Sequence, residues 1–305
     1  MRILLTGSSG QLGKAISHFK PTHVDLISPS KDELNLLDIR ECSQIIKRLR
    51  PDLVINSAAY TSVDEAENEK EVAFAINSEA PKALAKAIHI NGGKLLHLST
   101  DFVFSGNQST PYEPHDERNP LNIYGLSKAS GEVAIQKILD QSNQGVILRT
   151  SWLMGSIGRN FALTMLRLHR EREQISVVSD QFGSPTTTFS LAQICWRLAE
   201  LYCNSDANHK KLPSILHWCN AGIASWYDIA IAIGELARDL NLLDRKAEVF
   251  PIRSSDYSSK AKRPPFSVLG CERTVQLLGV KQSYWRDALY EILKDVAEQE
   301  TALKI

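Results

Sequence analysis

The first 19 residues restrict the fold of this 305-residue chain more than any other stretch. An apolar run over residues 2–6 is followed by three glycines, Gly7, Gly10 and Gly13, and then by a helical pattern over residues 14–19. A strand, a glycine turn and a helix are typical of the start of a βαβ unit, in which backbone amides can approach a phosphate. The stretch therefore predicts a dinucleotide site, with an ordinary strand-to-helix turn as the alternative.

Strand and helix patterns continue to alternate along the first half of the chain. They predict strands over residues 24–28, 52–56 and 94–99 and helices over residues 41–50 and 72–90. Such alternation indicates an α/β protein with a Rossmann-like, doubly wound parallel sheet. In such sheets functional residues gather where the strands reach their carboxyl ends.

The pattern is less regular beyond Trp152. It predicts helices over residues 161–172, 191–202, 226–240 and 285–297, strands over residues 175–179 and 215–219, and a polar linker over residues 204–211. We therefore expect a dinucleotide-binding core over residues 1–152, to which later segments return. Residues 153–305 are expected to form mainly a smaller C-terminal substrate-binding lobe.

Composition argues against several kinds of partner. Lys+Arg and Asp+Glu both number 35, so no broad basic surface indicates binding to nucleic acid or to an anionic membrane. The five cysteines include no C-x-x-C pair and no neighbouring His cluster, which is typical of reduced cysteines in a cytoplasmic protein without a metal site. No signal-peptide pattern and no apolar run of about 18 residues occurs, so we expect a cytoplasmic protein without a membrane span.

A tyrosine and a lysine stand four residues apart, at Tyr124 and Lys128, within a helical pattern. This spacing puts both on one helix face, where a lysine ammonium is expected to lower the phenol pKa. With a nicotinamide nearby, Thr100 would bond the carbonyl oxygen being reduced, Tyr124 would protonate it, and Lys128 would hold the nicotinamide ribose. The alternatives are a strand-terminal hydroxyl for Thr100 and a solvated helix face for Lys128.

Further motifs extend over nearly the whole chain. They lie at residues 7–13, 56–67, 99–104, 120–128, 149–152, 180–186 and 261–269. With these motifs the sequence resembles the extended short-chain dehydrogenase/reductases and, among them, the dTDP-4-dehydrorhamnose reductases. The resemblance implies reduction of the C4 keto group of dTDP-4-dehydro-6-deoxy-L-mannose to dTDP-L-rhamnose. The alternatives are a reductase of another nucleotide-linked 4-keto-6-deoxy sugar and a non-catalytic regulatory subunit of the same fold.

The resemblance also implies the residues that bind each ligand. The cofactor residues are Gly7, Gly10, Gln11, Leu12 and Gly13 at the pyrophosphate, Asp38 and Ile39 at the adenine end, and Ala58, Ala59, Tyr60, Leu98, Tyr124 and Lys128 further along. The substrate residues are Thr100, Asp101, Trp152 and Arg263. Arg263 is expected to clamp the diphosphate, since a guanidinium matches phosphate oxygens, with a loop ion pair as the alternative. For Asp38 the alternative is a helix N-cap.

The choice of cofactor depends on the residues after the second predicted strand. Ser30 and Lys31 suit a ribose 2′-phosphate better than a free 2′-hydroxyl, which favours NADPH over NADH. Asp32 and Glu33 follow directly, so NADH stays an alternative if the turn is tighter.

Two further positions bear on reaction and assembly. A dehydratase or epimerase must remove a proton from carbon, but Phe102 stands where the related sugar dehydratases usually have Glu, which favours simple keto reduction. Some members of the family have a glutamate where Ala15 stands, and it takes part in a magnesium-linked dimer. Ala15 therefore leaves both magnesium and a homodimer open.

Overall fold

The computed structural model describes residues 1–204 and 212–302. Residues 205–211 of the predicted polar linker lie outside this part of the chain. The strands of the first half are β1 (Arg2–Thr6), β2 (Asp25–Ile27), β3 (Leu53–Asn56), β4 (Lys94–Thr100) and β5 (Gly145–Thr150). The helices of this half are α1 (Gln11–His18), α2 (Ile39–Leu49), α3 (Lys70–Phe74), α4 (Ala80–Asn91) and α5 (Ile123–Leu139), with a π-helical turn, Ala75–Glu79, joining α3 to α4.

The second half contains shorter strands between longer helices. The strands are β6 (Leu153–Met154), β7 (Gln174–Val178), β8 (Phe182–Gly183), β9 (Thr186–Thr187), β10 (Ile215–His217), β11 (Ala224–Ser225) and β12 (Glu248–Ile252). The helices are α6 (Phe161–Glu171), α7 (Thr188–Asn204), α8 (Trp226–Asp239), α9 (Glu272–Leu278) and α10 (Trp285–Ala302).

The central sheet has six strands in the order β10-β5-β4-β3-β1-β2, and every neighbouring pair is parallel. The predicted Rossmann-like α/β fold is confirmed. The outer strand β10 comes from the second half of the chain, so this half supplies part of the sheet as well as the lobe.

Both faces of the sheet are buried, which explains why its strands are continuous apolar runs in the sequence. Ile3 and Leu5 of β1 pack in one cluster with α1 and α7, whereas Leu4 packs on the other face with α2, α4 and α5. This alternation follows from the two-residue period of a strand. The helices thereby hold the carboxyl ends of β1, β3, β4 and β5 at one edge.

The lobe has a core of its own beside this edge. Helices α6, α8 and α10 pack around the parallel pair β7 and β12, with Ile229, Ile233 and Leu293 fully buried. Helix α8 begins with a capping box in which Ser225 and Asp228 satisfy each other's backbone amides. None of the helices in the described part of the chain is long and apolar enough to cross a membrane.

Candidate active site

A cavity of about 650 Å³ lies at the carboxyl edge of the sheet. Fifteen of the predicted site residues line it: Gly7, Gly10, Gln11, Leu12, Gly13, Ser30, Lys31, Ala58, Ala59, Leu98, Thr100, Asp101, Tyr124, Lys128 and Trp152. One cavity is therefore lined by the glycine turn, by the proposed catalytic residues and by Trp152, where the chain enters the lobe. Its size suits a dinucleotide with part of a second ligand.

The glycine turn brings backbone close to backbone. Gly7 has φ of 73°, and a Cβ there would lie 2.7 Å from Ala58 of the neighbouring strand end. A Cβ on Gly13 would lie 2.1 Å from the Gly7 carbonyl oxygen. No side chain caps α1, and residues 10–13 at its N-terminus line the cavity, as an anion site at a helix N-terminus requires.

The Gln11 side chain connects this turn to the lobe. Its amide donates to the Arg159 carbonyl oxygen at 3.0 Å and accepts from Asn160 at 2.8 Å. Gln11 thus orders the junction between α1 and residues 158–160, and its amide is already occupied by protein partners.

Helix α5 and strand β4 present the catalytic candidates. Asn122 caps α5 by accepting from the Gly125 amide, and Tyr124 and Lys128 lie on the helix face that lines the cavity. Gly125 allows the helix to approach, because a Cβ there would lie 2.2 Å from the Phe102 carbonyl oxygen. Thr100 at the end of β4 supplies its hydroxyl beside the Tyr124 phenol.

The electrostatics of Tyr124 differ from the expectation. Burial raises the pKa of Tyr124 to about 12; the Thr100 hydroxyl lowers this value and the Asp101 charge raises it. The predicted lowering of the Tyr124 pKa by Lys128 is wrong for this structure, because Lys128 Nζ is directed elsewhere. Tyr124 is therefore a protonated phenol at neutral pH.

Lys128 points into the protein. Its Nζ donates to the Leu98 carbonyl oxygen at 2.5 Å and lies 3.3 Å from Nε2 of His97. Burial lowers the pKa of Lys128 to about 8, although the Glu132 charge opposes this shift. The side chain is 2% exposed, so the solvated-face alternative does not hold.

One turn further along α5, Glu132 is fully buried and forms an ion-pair network with the buried Arg149 and the partly exposed Arg118. Its carboxylate accepts two bonds from Arg149 of β5, at 2.9 and 2.7 Å, and one from Arg118 at 2.5 Å. Burial alone would raise the pKa of Glu132, but Arg149 and Arg118 hold it at about 2. The network fixes α5 against the sheet.

Asp101 follows Thr100 and is 2% exposed. The Thr100 hydroxyl donates to its Oδ1 at 3.0 Å. Burial raises the pKa of Asp101 to about 6, against the opposing hydrogen bonds from Ser267 and Thr100. The pair Thr100 and Asp101 is thereby held as one unit at the end of β4.

Trp152 is held in the cavity wall by the lobe. Its backbone has φ of 47°, and its ring stacks on Trp226 with 3.7 Å between centroids and an angle of 9°. The other support is Gly183, where a Cβ would lie 2.6 Å from the Trp152 ring. Trp226 in turn donates from Nε1 to Gln181 at 3.2 Å.

Four predicted site residues lie outside the cavity lining. Asp38 caps α2 by accepting from the Arg40 and Glu41 amides, which is the alternative given for it, and Ile39 begins that helix. Preceding residues 34–37 line the cavity in their place. An Asp carboxylate at a helix start bonds the first free amides, and contact of Asp38 and Ile39 with the adenine end stays a prediction.

Tyr60 and Arg263 are both engaged with acidic partners. The Tyr60 hydroxyl donates to Glu69 at 2.9 Å. Arg263 donates to Asp64 at 2.6 Å, the loop ion pair given as its alternative. This pair joins the loop at residues 261–263 to the sheet domain rather than presenting a guanidinium to the cavity.

Sequence reasoning missed several lining residues. The most informative is Arg159, an exposed cation between Gly158 and Asn160 at the glycine-turn end of the cavity. No periodic signal could have found it, since its placement depends on how the lobe folds back. Ile76 in the π-helical turn was also missed.

Among the described residues no group of three or more His, Cys, Asp or Glu could hold a metal ion.

The sequence model described as RmlD substrate binding domain matches residues 1–298. The chain belongs to this family. The resemblance inferred from the motifs is thus confirmed. A dTDP-4-dehydrorhamnose reductase of Aggregatibacter actinomycetemcomitans is 36% identical over 293 residues, which cover 95% of this chain and 98% of that protein.

Solved structures agree with this assignment. The crystal structure of a dTDP-4-dehydrorhamnose reductase from Clostridium acetobutylicum has a TM-score of 0.87 and 32% identity, covering 97% of this chain and 99% of that chain. The corresponding protein from Bacillus anthracis, in complex with NADP, has a TM-score of 0.86 and 34% identity, covering 96% and 99%.

Proposed function

We propose that the protein is an NADPH-dependent reductase that converts the C4 keto group of dTDP-4-dehydro-6-deoxy-L-mannose to the alcohol of dTDP-L-rhamnose. The observation that carries the proposal is the single cavity with a glycine turn at one end and Thr100, Tyr124 and Lys128 at the other. The names of the family members supply the substrate. The geometry itself supports a hydride-transfer site.

Each catalytic candidate has a chemical task. The bound nicotinamide supplies the hydride. The Thr100 hydroxyl orients the substrate carbonyl by exchanging its bond to Asp101 for one to the carbonyl oxygen, and the Tyr124 O–H bond breaks as its proton passes to the C4 oxygen. An alkoxide is a stronger base than a phenolate, so a phenol whose pKa is raised to about 12 still donates in the favourable direction.

The cavity supports reduction over proton removal from carbon. Asp101 is the one acidic side chain among the described lining residues, and it is engaged by the Thr100 hydroxyl. Where a second carboxylate would stand, the Phe102 ring packs edge-on against Tyr124 with 5.7 Å between centroids. A dehydratase or epimerase would need a base at this place.

The adenosine end of the cavity favours NADPH. Ser30 and Lys31 line it, whereas the Glu33 carboxylate turns back and accepts from the Ser30 amide at 2.7 Å. This contact engages one of the two acids that would compete with a 2′-phosphate, and the other, Asp32, is exposed and does not line the cavity. Arg159 adds a second cation where the pyrophosphate is expected.

The substrate is assigned to the lobe side, formed mainly by residues 153–305. Trp152 presents an aromatic ring supported by Trp226, and Asp101 and Thr100 line the same cavity. Arg263 would bind the diphosphate only after exchanging its bond to Asp64, so we give it a secondary role.

The test is a coupled measurement of cofactor and product. Purified protein is incubated with dTDP-4-dehydro-6-deoxy-L-mannose and NADPH, the absorbance of the reduced cofactor is followed, and the product is identified by NMR. Stoichiometric oxidation with formation of dTDP-L-rhamnose is expected. An absence of oxidation at high protein concentration would refute the reductase assignment, and a C4 epimer of the product would refute the assigned product.

A further inference from the structure

A chain of hydrogen bonds runs beneath the cavity from β1 to Lys128. The Thr6 hydroxyl donates to Asn56 Oδ1 at 2.6 Å. The Asn56 amide nitrogen lies 3.0 Å from His97 Nδ1, and His97 Nε2 lies 3.3 Å from Lys128 Nζ. None of the four side chains is more than 2% exposed. Three neighbouring strands thus direct polar groups at one catalytic candidate.

The hydrogen-bond roles place the proton of the His97 ring. Because the Thr6 hydroxyl gives its hydrogen to Asn56 Oδ1, the amide nitrogen of Asn56 faces His97 and donates to Nδ1. Burial, with the Lys128 charge, holds the pKa of His97 well below its usual range, so the ring is neutral. A neutral imidazole has one donor and one acceptor, which leaves the hydrogen on Nε2.

A hydrogen on Nε2 affects the charge of Lys128. The neutral amine of Lys128 has an electron pair that accepts this hydrogen bond. The ammonium has no electron pair, so one of its N–H groups would face the N–H group of His97. The bond from Nζ to the Leu98 carbonyl oxygen is compatible with both states. His97 therefore favours the neutral amine.

We propose that His97 is a positioning residue which, with its proton held on Nε2 by Thr6 and Asn56, stabilises the neutral amine of Lys128 and lets it change charge during turnover. The role in turnover rests on the proposed function. Because Lys128 Nζ lies on Leu98 and His97, its proton reaches the Tyr124 phenolate through water: the Lys128 N–H bond breaks, the water takes this proton and gives another to the phenolate, and the Tyr124 O–H bond forms. The electron pair left on Nζ accepts from His97, and a hydronium ion from solvent restores the ammonium and leaves water.

Other charges act on Lys128 at the same time. Glu132, on the same helix, favours the ammonium, but it is paired with Arg149 of β5 and with Arg118. Asp101 of the β4 end and Tyr124 line the same cavity. These groups are unchanged when His97 is replaced, so a His97 variant isolates its contribution.

The direct test is ring NMR of the wild-type protein labelled with 15N-histidine. The sequence has 8 histidines, and the His97 signals are those lost in His97→Asn. The expected spectrum has the hydrogen on Nε2 and a change in ring shifts centred near the Lys128 pKa of about 8. This change should disappear in Lys128→Met.

Two results would overturn the proposal: a hydrogen on Nδ1, which the reverse orientation of Asn56 would produce, or a ring that does not sense the titration of Lys128. No substrate is needed, so failure here is distinct from failure of the proposed function.

A second arm measures the pH dependence of kcat/KM. His97→Asn should move the basic limb of the kcat/KM profile to higher pH by about one unit, because the His97 N–H group that opposes the Lys128 ammonium is lost. His169→Asn is the matched control, because His169 is 1% exposed but lies in the lobe core, bonded to the Ala230 carbonyl. A limb that stays in place or moves downward in His97→Asn would contradict the proposal.

Discussion

The two sides of the cavity hold their functional side chains in different ways. On the sheet side Lys128, Glu132 and Arg149 are no more than 2% exposed, and each has partners in the protein. On the lobe side Trp152 and Trp226 are half-buried and stack on one another, while Arg159 is exposed. We infer that the sheet side provides fixed geometry for chemistry and the lobe side provides recognition.

The physical basis of this difference is the cost of burying charge. A buried charge is stable only with its partners, so removal of one partner leaves the other unpaired and affects the whole fold. A stacked aromatic pair near the surface loses mainly contact area when one ring is changed. Substitutions on the two sides should therefore differ in both size and kind.

The largest effect is expected at Glu132. Glu132→Gln leaves Arg149 and Arg118 without a counter-charge and should lower the free energy of unfolding by about 3–5 kcal/mol. Urea unfolding followed by circular dichroism measures it. Glu171→Gln is the control: it breaks the exposed pair with Arg167, at 2.9 Å, and should cost less than about 1 kcal/mol. Equal losses in the two variants would remove the distinction between the sides.

Tyr124→Phe should lower kcat by about 10²-fold or more, because the proton donor is lost, while NADPH affinity stays within about twofold. Steady-state kinetics and fluorescence titration measure the two quantities. Tyr60→Phe is the matched control, since its hydroxyl bonds Glu69 outside the cavity lining, and it should change kcat little. Unchanged turnover in Tyr124→Phe would remove Tyr124 from the mechanism.

A smaller effect, confined to recognition, is expected at Trp226. Trp226→Leu removes the ring that supports Trp152 and should raise the KM for the sugar nucleotide by about 10-fold, with little change in NADPH affinity. Tyr227→Leu changes the next residue of α8, which has no ring contact to Trp152 among the described residues, and should leave KM near the wild-type value. A lower kcat with an unchanged KM would show that Trp226 affects the chemical step rather than recognition of the sugar nucleotide.

The smallest effect is expected at Lys31, on the exposed rim. Lys31→Ala should weaken the binding of NADPH by roughly fivefold and leave the binding of NADH unchanged. Only NADPH carries the 2′-phosphate, and the effect is small because exposed ion pairs are weak. Lys47→Ala, on the exposed face of α2 outside the cavity lining, controls for net charge. If the binding of both cofactors weakens equally, the 2′-phosphate is not bound by Lys31.

The sheet side was largely predictable because its signals are contiguous in sequence. The glycine turn, the buried strands and the four-residue spacing of Tyr124 and Lys128 each depend on neighbours along the chain. The prediction that failed on the sheet side concerns the effect of a charge on a pKa. Lys128 was expected to lower the pKa of the Tyr124 phenol, but its Nζ bonds the Leu98 carbonyl oxygen instead. A spacing places two side chains on one face and does not determine where a flexible amine points.

The lobe side could not be predicted in the same detail. Trp152 was found through a motif, but its stacking on Trp226 joins residues 74 positions apart. Arg159 lines the cavity beside Gln11, whose side chain donates to the Arg159 carbonyl oxygen across 148 positions of the chain. For Asp38 the structure shows the N-cap that was given as the alternative, since a carboxylate at a helix start serves as a cap as readily as a ligand, and its contact with the adenine end stays a prediction.

The most direct test of the central claim follows the hydride itself. The enzyme is supplied with NADPH that carries deuterium at the transferable position of the nicotinamide, and the sugar nucleotide product is examined by NMR and mass spectrometry. The account predicts one deuterium per molecule, located at C4, and no exchange of solvent hydrogen at C3 or C5. A product without deuterium at C4, or one that acquires solvent hydrogen at a ring carbon, would contradict it.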